Sequence, residues 1–298
     1  MPAFAAAPRT GVRRLARNRS VVTGASVLAV VVAIGILAPW LGTADPGQIN
    51  PAGRNKRPGV VETVRAADGR PGQITRWMGT DSLGRDVYSR VLYGARVSLV
   101  VGVSVALISM TAGLAIGIVA GYVRWMDGIV MRIMDGLMAV PAILLAIALV
   151  SLSSAGLRTV IVAIVIPEVP RVVRLVRSVV LSIREEPYVE AAVALGGSLR
   201  HLLVRHILPN TLAPLIVQAT YVCASAIVVE AILSFLGIGI PPETPTWGNI
   251  MAEGRTLFRI FPHNILFPGI FLAATVLAVN MLGDGLRDML DPRMRKRL

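Results

Sequence analysis

The sequence predicts an all-α membrane protein with six transmembrane helices, and three observations carry that expectation. The 298-residue chain is 54% hydrophobic with a mean hydropathy of +0.68, above the roughly 45–50% apolar content of soluble domains. Several stretches reach the roughly 20 mostly apolar residues that cross a bilayer as a helix. Arginines cluster beside those stretches, as positive-inside topology requires. The net charge of +13 therefore reads as membrane topology rather than as a nucleic-acid surface. The single cysteine, Cys223, excludes an internal disulfide.

Residues 1–20 are polar and basic, with Arg9, Arg13, Arg14, Arg17 and Arg19, and read as a cytoplasmic N-terminus. Residues 21–41 form the first span, whose apolar core is too long for a cleaved signal peptide, so it is expected to stay as an anchor. Residues 42–96 form an extracytoplasmic loop. Its Arg54, Lys56, Arg57, Arg65, Arg70 and Arg76 oppose the charge rule, which long loops follow only weakly. Asp81 or Ser82 is expected to cap an interfacial helix at the end of this loop. Val87, Tyr88, Val91, Leu92 and Ala95 make its apolar face, with Arg85, Asp86, Ser89 and Arg96 opposite.

Residues 97–285 hold the other five spans. In the second, about 97–123, Ser109, Gly113, Gly117 and Gly121 recur every fourth residue, a small-residue face that admits another helix closely. In the third, about 129–153, Arg132 and Asp135 are spaced to pair. The fourth starts near Arg158 and ends in Arg171, Arg174 and Arg177, and Pro167 and Pro170 should kink it. Glu168 falls near its middle, where a charge costs about 2.5–3.5 kcal/mol. That carboxylate must pair with Arg171 or face a water-filled path. The fifth, about 211–235, carries Glu230 in its outer part, either satisfied by protein partners or facing the same path. After the sixth, about 264–284, a basic tail at 286–298 holds Arg287, Arg293, Arg295, Lys296 and Arg297. Six spans place both termini in the cytoplasm.

One stretch, 184–209, is too polar to cross a bilayer yet patterned like structure. Pro187 suits the first position of a helix, and Glu185 and Glu186 complement its positive end. Tyr188, Ala191, Ala192, Leu195, Leu199 and Leu202 make an apolar stripe. Gly196-Gly197 reads as a turn between two short helices, and Pro209 closes the segment. It reads as a docking element.

Glu190-Ala191-Ala192, Gly196 and Leu208-Pro209 resemble the EAA loop of ATP-binding-cassette (ABC) importer permeases. His206 stands where that family's usual form has Ile. Trp77 to Asp86, and the pair Ser234-Phe-Leu-Gly237 and Trp247-Gly-Asn249, resemble signatures of the dipeptide, oligopeptide and nickel permeases, C-type subunit most of all. The resemblance covers nearly the whole chain and implies a type I importer permease fold. It implies that Glu190, Ala191, Ala192, Leu195, Gly196, Gly197, Leu208 and Pro209 couple the chain to an ATPase. It further implies a heterodimer with a second permease, two ATPase domains that carry ATP and Mg, and an extracytoplasmic solute-binding protein that delivers peptide. The compartment it implies is the bacterial plasma membrane.

Other chemistry fits poorly. His201, His206 and His263 lie outside the apolar spans, so no histidine base is available at membrane depth. His201 and His206 are five apart, poor spacing for one helical face and a weak metal signal. Lys56 and Lys296 are the only lysines and neither ends a phosphate-binding loop, so an ATP-driven machine needs a partner to hydrolyse ATP. The chain is expected to be no enzyme and to bind no metal or cofactor itself. An ion-gradient transporter would favour internal repeats and broken, charged helices, and would leave the 184–209 stretch unexplained. A non-transporting scaffold is a third class. Within the resembled family, nickel chelates, glutathione and haem stand beside peptides as cargo.

Overall fold

Apolar runs become helices at each expected position. The computed structural model describes residues 18–65 and 71–290. The arginines up to Arg17, Arg70 in the first loop, and the tail residues Arg293, Arg295, Lys296 and Arg297 lie outside the described residues. Helix α1 is Arg19–Leu37, capped by Asn18. A hairpin, β1 Val60–Arg65 with β2 Pro71–Arg76, pairs antiparallel with Val60 opposite Arg76. Then come α2 Val87–Tyr122, α3 Arg124–Met138, α4 Ala142–Ser151 and α5 Leu157–Arg184. Short helices α6 Pro187–Ala194 and α7 Leu199–Leu202 precede α8 Leu208–Phe235, α9 Trp247–Gly254 and α10 His263–Leu290.

By length and composition, four helical units among the described residues can span a membrane, or five if the bent pair α3–α4 counts as one. That falls one helix short of the expected six. The sixth unit is α5, which is 28 residues long but carries Arg158, Glu168, Arg171, Arg174, Arg177 and Arg184. It runs as one helix through Pro167 and Pro170. The expected third span is instead broken: α3 and α4 meet at 83°, at Pro141, which cannot continue a hydrogen-bonded turn.

The core of the bundle is the contact of α2 with α5. A Cβ added at Gly113 would lie 2.5 Å from Val172, one at Gly117 2.7 Å from Val176, and one at Gly121 2.7 Å from Val180. The small face read from the sequence is therefore a slot that receives a row of valines. Such a slot replaces the hydrophobic drive that is missing between helices in lipid. Two ion pairs bind α3 to α5 at one end: Arg174 reaches Asp135 at 2.6 Å, and Arg177 donates to Asp127. The expected Arg132–Asp135 pair is thus corrected. Asp135 is met instead by an arginine on another helix, which spacing within one helix does not reveal.

At the opposite end, the interfacial helix and the second span are one helix, α2. Its cap is Asp86, whose carboxylate accepts from Ser89 N at 2.8 Å, and not Asp81 or Ser82. Asp81 is buried and receives Arg85 Nε at 2.8 Å together with the backbone N–H groups of Leu83 and Arg85. Val87, Val91, Leu92 and Ala95 are buried as expected, but so are Ser89 and Arg90. Arg85 and Arg90 both bind Glu253 of α9 and the Pro242 carbonyl. Burial pushes the Glu253 carboxyl up, and the two guanidinium groups oppose that shift. Trp247 of α9 is fully buried and donates to the Val91 carbonyl at 3.1 Å. His263, expected outside the spans, heads α10 and is buried against the Thr80 carbonyl at 3.4 Å.

Candidate functional site

The loop joining α5 to α8 is built by local rules. Glu186 precedes α6 in extended conformation and Pro187 occupies its first turn, where the missing N–H has no helical partner to lose. Helix α6 ends in a Schellman turn. Gly197 N donates to the Ala192 carbonyl at 2.9 Å, and Gly196 N to the Val193 carbonyl at 2.9 Å. Gly196 takes φ +77, a conformation that L side chains rarely adopt. Ser198 then caps α7, its Oγ accepting from His201 N at 3.3 Å.

The two-helix reading of the sequence is met, and most of the apolar stripe it marked points outward. Val189, Leu202 and Ile207 are the buried residues. Tyr188, Leu199 and Leu195 point outward, Leu195 with 88% of its surface exposed. Glu190, Ala191 and Gly196 are also exposed and Ala192 is half-buried. The loop therefore presents an apolar tip to whatever lies beyond it. Pro209 does not close the segment either. The chain passes from α7 through a π-helical turn, Leu203–Ile207, into Leu208-Pro209 and α8, so 199–235 is one continuous span candidate.

That π turn corrects the expectation that the two histidines lie on different faces. With an i→i+5 bond pattern, residues five apart share a face, and the His201 and His206 rings sit 5.6 Å apart, edge to face. Tyr188 of α6 packs on His206 at 5.7 Å. Asn210 ties the loop down, donating to the His206 carbonyl at 2.6 Å and to the Tyr188 hydroxyl at 3.4 Å. Burial, then the Glu186 carboxylate, raises the Tyr188 pKa. Among the described residues, no cluster of three or more His, Cys, Asp or Glu could hold a metal ion.

The two intramembrane carboxylates sit differently. Glu168 is 3% exposed, 3.3 Å from Arg171 Nη1, and accepts from Ser225 Oγ of α8 at 3.1 Å. Glu230 is fully buried and accepts from Ser234 Oγ at 2.7 Å and Ser98 Oγ at 3.5 Å. It faces protein rather than open space, and Ser98 lies 132 residues away in sequence, a partner no local pattern could reveal. Because Glu168 already has two protein partners, Glu168→Gln is expected to destabilise the folded protein by about 1–2 kcal/mol, read as a lower thermal midpoint, while transport persists. Unchanged stability with selective loss of substrates bearing a free amino group would instead make Glu168 a group that touches cargo.

Two family models match the chain. Residues 113–296 match "binding-protein-dependent transport system inner membrane component". Residues 9–58 match "N-terminal TM domain of oligopeptide transport permease C". A probable peptide ABC transporter permease protein of Sinorhizobium fredii is 50% identical over 97% of this chain and 94% of its own length. A glutathione transport system permease protein of Pectobacterium atrosepticum is 44% identical over 74% of this chain and 73% of its own. Among solved structures, a chain of the inward-facing MetNI methionine ABC transporter superposes with a TM-score of 0.56 at 18% identity, covering 67% of this chain and 96% of that one. The fold is thus that of an ABC importer permease. With the 113–296 core and the N-terminal helix both matched, the chain belongs to the family of binding-protein-dependent transport system inner membrane components.

Proposed function

We propose that this chain is the C-type permease subunit of an ATP-driven importer that carries peptides of the dipeptide and oligopeptide class across the bacterial plasma membrane. The observation that carries the proposal is the α6–Gly196–α7 loop, a rigid turn with an exposed apolar tip at Leu195 and an exposed Glu190. A surface of that kind on a chain with no phosphate-binding loop suits docking to an ATPase. Glu190, Ala191, Ala192, Leu195, Gly196 and Gly197 form the contact, and Leu208-Pro209 joins it to α8. ATP and Mg bind the partner ATPase domains, two per complex. A second permease completes a heterodimer and an extracytoplasmic binding protein delivers cargo. Both termini and the 184–209 loop lie in the cytoplasm, and 42–96 lies outside. ATP binding closes the ATPases, the α6 tip moves with them, and α8, α5 and α2 shift as a body to open outward. Rigid motion of α2 with α5 is supported by the valine-and-glycine contact, which leaves those two helices little room to slide.

The name of the Sinorhizobium relative, at 50% identity, supports peptide cargo. Glutathione is a second reading, favoured by the Pectobacterium relative. Both are short peptides with free carboxylates, so the two readings differ in selectivity rather than in mechanism. The test is ATP hydrolysis by the reconstituted complex with its binding protein. Di- and tripeptides are expected to raise the rate several-fold and glutathione not to. A response to glutathione alone would replace the first reading by the second.

A further inference from the structure

A cleft of about 510 Å³ lies beside the π turn, lined by Ser198, Arg200, His201, Val204 and Arg205. Every polar group on its wall is a hydroxyl, an imidazole or a guanidinium, and no carboxylate lines it. Arg200 and Arg205 are five apart, as His201 and His206 are, so the π turn that unites the histidines also sets both arginines on the cleft. A regular α-helix would have splayed them. A buildup of positive charge without counter-charge is costly unless an anion or water answers it.

The surroundings say which anion. The cleft belongs to the first turns of the unit 199–235, which continues as a membrane span, so it lies where that helix meets the bilayer surface. Val204 in its wall is exposed. Further along the same helix, Leu212 and Ile216 are exposed apolar residues, four apart and therefore on one face. A cationic cleft that opens onto an apolar track fits a molecule with an anionic head and hydrocarbon tails. A soluble phosphate would use the arginines and ignore the track. An acidic protein segment would gain little from Leu212 and Ile216, which are exposed apolar residues of a helix long and apolar enough to span a membrane.

We infer that the Arg200–Arg205 cleft binds the phosphate headgroup of an anionic phospholipid, whose acyl chains lie along Leu212 and Ile216. Basic pockets beside membrane helices hold anionic headgroups through such contacts. The lipid then braces the root of α8 next to the α6 tip, whatever the cargo.

The test is lipid retention by the purified full complex in native mass spectrometry, titrated with phosphatidylglycerol, phosphatidylcholine and soluble glycerol phosphate. The wild type is expected to retain phosphatidylglycerol in preference to phosphatidylcholine. Arg200→Gln and Arg205→Gln should each weaken that retention about fivefold, and the double variant more than tenfold, since each basic group near a headgroup contributes about a fivefold factor. A charge-matched control, Arg54→Gln with Arg259→Gln, removes two exposed arginines elsewhere and should leave retention unchanged. Equal retention by the wild type and the double variant would overturn the inference. So would displacement of the lipid by glycerol phosphate at equal concentration, which would mark an anion site with no use for acyl chains. Loss of the ATPase from the double variant with lipid retention intact would assign the cleft to a protein partner and overturn it as well.

Discussion

Replacing Gly196 by proline is expected to abolish ATP-driven uptake while the protein stays in the membrane at normal level. Gly196 sits at φ +77, and proline fixes φ near −65°, so the Schellman turn cannot form. Proline also removes the N–H that donates to the Val193 carbonyl. The turn is exposed, with nothing within 4 Å of a Cβ added there, so the fold of the bundle does not depend on it. Only the direction in which α6 presents Leu195 and Glu190 does. Glu190→Arg tests the same surface by charge. Glu190 lies in the first turn of α6, where a carboxylate suits the helix dipole and an arginine opposes it. Each variant is expected to lower uptake at least about tenfold, the change that roughly 1.4 kcal/mol of lost docking produces. Normal uptake by both would reduce the loop to a connector.

The second large effect lies in the bundle. Gly117→Val should cut the yield of folded complex several-fold and lower its thermal midpoint. A Cβ at Gly117 would meet the Val176 side chain at 2.7 Å and the Val173 carbonyl at 3.0 Å, so the two helices must separate. Overpacking typically costs about 1–3 kcal/mol. Here the neighbouring contacts at Gly113 and Gly121 are equally tight, so the strain cannot be relieved by a local slide. The exchange Gly117→Val with Val176→Gly moves the isopropyl group to the other helix and should recover part of the stability. If Gly117→Val folds and functions normally, α2 and α5 are not held as this packing requires.

Much of this was legible in the sequence because helical periodicity and turn chemistry are local. The Gly113, Gly117 and Gly121 row, the Pro187 start and the Gly196 turn each need only a few neighbouring residues to be read. What escaped depends on distance. Arg174 and Arg177 find Asp135 and Asp127 across the bundle, 39 and 50 residues apart, where a local rule offered Arg132. Arg90 was not marked as a buried residue at all, because its partners Glu253 and Pro242 belong to the far end of the chain. His201 and His206 were judged by α-helical spacing, and a π turn changes which residues share a face. The outward stripe of Tyr188, Leu195 and Leu199 has the period of a buried face. Sequence alone shows the stripe but not that it lacks a partner within the chain.

On the proposed function, this chain is a path whose opening is driven by ATP hydrolysed on a partner docked at the α6 tip. Peptide accumulation in proteoliposomes tests it most directly, with the complete complex, its binding protein, and either internal ATP with Mg or an imposed proton or sodium gradient. Accumulation is expected with ATP alone, unaffected by collapsing both gradients, and absent in Gly196→Pro vesicles. Accumulation driven by an ion gradient without ATP would contradict the account.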